Sequence, residues 1–331
     1  MKLGAYTACL HDKPLPEALA ILAELGLTSA EINSGGFLPP VHLPIADIRS
    51  SETARSEYLG LFAEHGITLT ALNCNGNPLH PDAAVRDKHG QDVRDAVELA
   101  ALLGVPRVIT MSGLPGTNAT GTKPAWAALP WESSGLDVRD YQWNEVAVPY
   151  WRDLQARAAD ADVHVGLELH PHNVVYNART MLRLAEEIDA THIGAELDPS
   201  HLFWQGMEPV AVIGALGSLV KIAAAKDIRV NANAAVNGVL DDGFARVPVG
   251  SPGAIPLGGD YTLSEWPKDS SWDFVAVGRG HDVDYWTRFL AALAEVDPDM
   301  TVNIEHEDQE LDQIGGLRSA AEVMLAAADR V

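Results

Sequence analysis

The sequence predicts an α/β protein, a single-domain closed (β/α)8 TIM barrel over residues 1–331. Three observations carry this. Strand-like and helix-like segments alternate eight times, which specifies a parallel sheet with helices outside it. The only long loops, around residues 114–141 and 228–280, follow strands four and seven, on the face where barrel enzymes keep their active sites. The first strand-to-helix turn, TACLHDKP, lacks the glycine-rich fingerprint of the main alternative, a doubly wound open sheet.

The elements follow in order. KLGAYTA is a strand, and PEALAILAELG is a helix closed by Gly26. SAEINSG and the helix SETARSEYLGLFAEHG, ending at Gly66, form the second unit. TLTALNCNGN precedes the third helical stretch, AAVRDKHGQDVRDAVELAALLG. RVITMSGLPG is followed by a polar loop with Trp126 and Trp131, then by NEVAVPYWRDLQARAADA. VHVGLELHP with ARTMLRLAEEID, IGAELDPSH with PVAVIGALG, and LVKIAAAKD supply units five to seven. After the second long loop, VDYWTRFLAALAEV leads into the eighth strand, TVNIEHED, and GLRSAAEVMLAAADRV closes the chain.

Composition limits the function classes. The 331 residues are 47% hydrophobic, enough for a large core, and the net charge of -23 disfavours nucleic acid as a partner. Cys9 and Cys74 are too few for a disulfide framework. The start, MKLGAYTACLHDKPLPEAL, has no signal-peptide pattern, and no stretch reaches the ~18 apolar residues of a membrane span. The expectation is a soluble cytoplasmic protein with no membrane partner.

Three strand ends carry unusual polarity. In VGLELHPHN, Glu168, His170 and His172 alternate, so an extended chain points them to one side. The sixth strand ends ELDPSH, giving Glu196, Asp198 and His201, with Pro199 breaking the strand. The eighth ends NIEHED, giving Glu305, His306, Glu307 and Asp308. Singly, such acids are rim residues. Together, Glu168, Asp198 and Glu305 make a three-carboxylate cluster whose repulsion a divalent cation relieves. Oxygen ligands suit Mn²⁺ or Mg²⁺, and a histidine shifts the balance toward Mn²⁺, Co²⁺ or Zn²⁺. His201 is expected at the same mouth, and His170 beside it. His172 and His306 read as structural. His281, in VGRGHD, is either a helix-entry residue or a mouth residue. Lys226 either pairs with Asp227 to order the insertion or holds a substrate oxygen. The loop tryptophans read as anchors, although aromatic faces also suit sugar rings.

LELHP, LDPSHLFWQG, AKD, NGVLD, VGRGHD and IEHED resemble, in order, motifs of the xylose-isomerase-like barrel superfamily. The closest resemblance is to its sugar phosphate isomerase/epimerase group, related to endonuclease IV, and it covers nearly the whole chain. It implies that Glu168, Asp198 and Glu305 ligate a divalent metal, with Mn²⁺ favoured. It also implies that His201 binds substrate, or the metal through water, and that Glu168 and Glu305 act as acid/base pair. One position departs: Ala224 stands where the family carries a metal histidine, two residues before Lys226-Asp227. The resemblance implies an isomerase or epimerase of a sugar or keto-sugar working through an enediolate. Two alternatives stand beside it. One is a lyase on an oxidised glycoside, like the C-glycoside deglycosidase α subunits that need a small partner subunit. The other is an inactive barrel used for binding or assembly. Homo-oligomers fit either kind of reading.

Overall fold

In the computed structural model, which describes residues 1–331, eight strands hydrogen-bond edge to edge into the expected closed barrel. In chain order the elements are β1 (Lys2–Tyr6), α1 (Leu15–Glu24), β2 (Ser29–Asn33), α2 (Ile45–Ser50), α3 (Glu52–Glu64), β3 (Thr68–Asn73) and α4 (Ala83–Leu103). Then come β4 (Arg107–Met111), α5 (Ser133–Asp140), α6 (Val148–Ala161), β5 (His164–Glu168), α7 (Ala178–Glu187), β6 (Ile193–Leu197), α8 (Pro199–Phe203), α9 (Pro209–Leu216) and β7 (Val220–Ala225). The insertion holds β8 (Asp227–Val230), α10 (Ala234–Asn237), β9 (Pro256–Gly258), β10 (Tyr261–Thr262) and β11 (Trp272–Val275). The chain finishes with α11 (Val283–Val296), β12 (Thr301–Ile304) and α12 (Gln313–Ala328). The barrel order is β1-β12-β7-β6-β5-β4-β3-β2. No helix is long and apolar enough to cross a membrane.

Two compact units can be distinguished, with limits that fall inside β2, α3, β3 and β6. The first comprises residues 1–32, 56–70 and 197–331. Its helices bury one stripe each: Ala18, Leu19 and Leu22 on α1, and Trp286, Phe289, Leu290 and Leu293 on α11. That spacing follows the helical repeat, and each large apolar side chain so buried contributes about 1.5–3 kcal/mol. Neighbouring strands approach so closely that a Cβ on Gly4 would lie 2.2 Å from the Ser29 carbonyl oxygen. Only glycine fits there.

The insertion of this unit is more ordered than a loop. β8 and β11 pair antiparallel, matching Phe274 with Ile228 and Trp272 with Val230. Trp272 stacks on Trp204 at 5.1 Å and meets the edge of Trp266 at 4.8 Å, over buried Ile228. At its base Asp227 is fully buried. One of its carboxylate oxygens accepts the backbone N–H of Gly278, Gly280 and His281, and the other that of Ile228. A Cβ on Gly280 would meet the Ile228 carbonyl oxygen at 1.9 Å, so glycine is required for this closure. Asp227 thus ties the exit of the insertion to its entrance. Of the two readings of Lys226, the ion pair with Asp227 does not form, because alternation sends the two side chains to opposite faces of the chain.

The second unit comprises residues 33–55 and 71–196. Asp82 caps α4 by accepting from Ala84 N and Val85 N, and Gly104 closes it in the left-handed region at φ 66°. The stretch read from sequence as loop 114–141 contains α5, and a π-type turn at Tyr141–Ala147 joins α5 to α6. No apolar period marks α5, which has no buried residue, so a polar composition concealed it. Trp126 behaves as an anchor: it stacks on His172 at 4.9 Å and donates to the Asn173 carbonyl. Trp143 is buried under the Arg183 guanidinium. Trp131 is not an anchor, being 94% exposed.

His89 on α4 is buried, and its Nδ1 accepts the Asn77 N–H. Burial, reinforced by the Lys88 charge, lowers its pKa from 6.5 to about 4. The folded state therefore refuses a proton that the unfolded chain accepts below pH 6.5, and stability falls as the pH drops from 6.5 toward 4. The loss from this group is on the order of 3 kcal/mol at most. Urea midpoints measured at pH 7 and pH 4.5 should show a smaller drop for His89→Gln than for wild type.

Candidate active site

Each strand end delivers its polar side chain for a local reason. Glu168 is the last residue of β5, paired in register with Glu196 of β6, and it is 2% exposed. Asp198 follows β6 directly. Pro199 stops the strand and begins α8, with the Asp198 side chain capping that helix through the Ser200 N–H at 2.8 Å. One turn later, His201 brings Nε2 to 3.4 Å from Asp198 Oδ2. Glu305 lies just past β12, its N–H bonded to the Ala225 carbonyl.

Lys226 reaches the same place from the end of β7. Its Nζ lies 2.6 Å from Glu307, 3.3 Å from Glu305 and 3.8 Å from Asp198, with the Phe274 ring centroid at 4.5 Å. Only 5% of this side chain is exposed, so those carboxylates and the aromatic face stand in for the water the amine has lost. The edge of Phe274 also meets the His201 ring at 5.6 Å. His201 is held neutral well below its ordinary range, first by burial and then by the Lys226 charge, with Glu307 acting in the other direction.

The predicted carboxylates come together. Glu168, Asp198 and Glu305 each place one oxygen within 4.8 Å of the others. Oxygens bound about 2.1 Å from one octahedral ion stand roughly 3–4.2 Å apart, so small side-chain shifts bring this set to the spacing of a shared divalent cation. Glu168, His170 and His201 form a second such group. A third group, Glu31, Glu196 and Glu305, lies on neighbouring positions of the inner face. Glu31 was not singled out from sequence. The alternation of Ser29, Glu31 and Asn33 in SAEINSG was the available signal. Its Oε2 accepts from Asn303 Nδ2 at 2.9 Å. Asn75 was also not singled out. Its Nδ2 donates to Glu168 Oε2 at 2.7 Å and so orients that carboxylate.

His281 is in none of these groups. Its Nδ1 lies 2.7 Å from Asp227 Oδ1, and its ring stacks on Phe203 at 3.8 Å. It acts as the helix-entry residue that fastens the turn before α11. His172 packs on Trp126, and His306 sits where a Cβ on Gly316 would meet its ring at 1.8 Å, so both are structural. Asp308 is structural too. Burial alone would raise its carboxyl, but the N–H groups of Ala276 and Glu310 and the Arg279 side chain outweigh burial and lower it.

Comparison with known proteins follows the same lines. A family model described as xylose isomerase-like TIM barrel matches residues 19–327. YfiH of Bacillus subtilis (strain 168), described as uncharacterized, is 33% identical over 329 residues, 98% of each chain. Among solved structures, the IolI protein with a bound zinc atom is 16% identical with TM-score 0.62, over 100% of this chain and 99% of its own. The 3-keto-D-glucoside 4-epimerase YcjR from E. coli is 13% identical with TM-score 0.62, over 99% of each chain. At such identity, these two structures show a shared fold.

Ala224 lies on β7 opposite Asn303 of β12, two residues before Lys226 and therefore on the same face. Ala224→His should add an imidazole to the donor set and tighten Mn²⁺ at least tenfold in calorimetric titration. Equal affinities in the two proteins would show that residue 224 does not reach the ion.

Proposed function

We propose, for a chain that belongs to the xylose isomerase-like TIM barrel family, a metal-dependent isomerase or epimerase acting on a sugar or keto-sugar. The observation that carries this reading is the group Glu168, Asp198 and Glu305, gathered from three strand ends and flanked by Lys226 and His201. These three carboxylates would hold a divalent ion, with Mn²⁺ as the first candidate because hard oxygen donors meet a neighbouring imidazole. When bound, the ion supplies Lewis-acid polarisation of a substrate oxygen.

The chain's own groups do the proton work. Glu168, oriented by Asn75, takes a proton from the carbon beside a carbonyl, and the electron pair moves onto the carbonyl oxygen. Lys226 Nζ holds hydrogen and positive charge beside that oxygen. Glu305, at the other end of the carboxylate group, returns a proton. Delivery to the former carbonyl carbon, with the hydroxyl proton of the adjacent carbon passing to the former carbonyl oxygen, isomerises the substrate, and delivery to the opposite face of the same carbon epimerises it. Neutral His201 donates to or accepts from a substrate hydroxyl.

Glu168→Gln and Glu305→Gln should each lower kcat by a factor of about 10² or more, with unchanged thermal unfolding. Retention of near-wild-type kcat by either variant would remove it from the acid/base pair.

Solvent exchange tests the chemistry itself. Keto-sugar incubated with protein and Mn²⁺ in D₂O should gain deuterium at the carbon next to the carbonyl, seen as loss of its proton NMR signal. Release of a separate fragment would identify a lyase instead. Unlabelled, unchanged substrate throughout a panel of keto-sugars would leave binding as the function.

A further inference from the structure

We propose a second binding site, for the carboxylate group of a small organic anion, on the outer wall of the second unit between α4 and α6. A cavity of about 250 Å³ lies there, with apolar walls from Pro78, Leu79 and Val146 and a polar end at Arg94 and Tyr150. The Arg94 guanidinium has no carboxylate partner. Its Nε and Nη2 both donate to Gln91 Oε1, at 3.3 and 3.0 Å, and Nη1 is left over. The Tyr150 hydroxyl is buried and has no hydrogen-bond partner. Buried hydroxyls are normally satisfied, so this one calls for an explanation.

The two groups converge. A Cβ built on Gly90 would lie 3.6 Å from Arg94 Nη1 and 3.9 Å from the Tyr150 oxygen. Both donors therefore border the space that the missing side chain of residue 90 leaves open on α4. A cation and a neutral donor aimed at one point match an oxyanion.

The borders select among anions. Asp87 and Glu145 also line the cavity, and Asp87 is already tied to Arg86 at 3.6 Å. These acids repel a multiply charged group, which favours a singly charged carboxylate over phosphate. The apolar walls suit a short carbon stem, so the ligand class is a compact monocarboxylic acid. None of these residues belongs to the carboxylate groups of the candidate active site, and this assignment stands whether or not the catalytic reading does.

The test is calorimetric titration with sodium lactate at constant ionic strength, with inorganic phosphate as the competing probe. Wild type should bind lactate saturably and phosphate more weakly. Arg94→Gln should weaken lactate about tenfold or more. Tyr150→Phe should weaken it too, while raising the thermal midpoint of the ligand-free protein because the unsatisfied hydroxyl is gone. Gly90→Leu removes no donor but fills the opening, and should abolish binding. Equal lactate affinity in wild type and Arg94→Gln overturns the site, as does no saturable binding of either probe. Tighter binding of phosphate than lactate overturns the carboxylate assignment.

Discussion

The buried ammonium of Lys226 sets the terms for the active site. Taking a charge of this kind out of water costs several kcal/mol unless opposite charges stand close by. Glu305, Glu307 and Asp198 meet that requirement, at 3.3, 2.6 and 3.8 Å. The dependence runs both ways. Asp198 is fully buried and Glu305 nearly so, and carboxylates crowded at such depth need positive charge among them. The lysine and the acids therefore stabilise one another in a place where neither would be tolerated alone.

That arrangement depends in turn on the insertion. Phe274 lies against both Lys226 and His201, and it reaches them because β11 is paired with β8 in a fixed register. The register is closed at its base by Asp227, which collects four backbone N–H groups and the His281 ring. Adjacent residues thus divide the work: Lys226 faces the carboxylates, and Asp227 secures the segment that shields them. The stacked Trp204 and Trp272 add the apolar area that keeps the segment down.

The histidines show how burial assigns roles. His201 and His89 are both kept neutral, chiefly by desolvation, yet only His201 stands beside the candidate carboxylate group. At the mouth, neutrality leaves an imidazole able to donate or accept a hydrogen bond. Under the loop after β3, it makes His89 Nδ1 an acceptor for the Asn77 N–H, which helps fix the loop that carries Asn75 to Glu168.

Alternation and strand count determined the barrel from sequence alone, because eight βα units have few ways to bury both faces of a sheet. They also determined that Glu168, Asp198 and Glu305 meet, since each stands where a strand gives way to a loop on the same face. His201 followed from its place one turn beyond Asp198. The helix Ser133–Asp140 was not legible, because it buries nothing and so carries no apolar period. Nor were the partners of Lys226 and Asp227: adjacent side chains diverge, and Glu305 for the one and the His281 N–H for the other come from more than 50 residues away in the chain. His281 read equally well as a mouth residue or a helix entry until Asp227 fixed it. Asn75 was hidden for the same reason. A side chain's position along its strand is written in the sequence, but its partners across a closed barrel are chosen only when the last strand pairs with the first and all the ends share one small space.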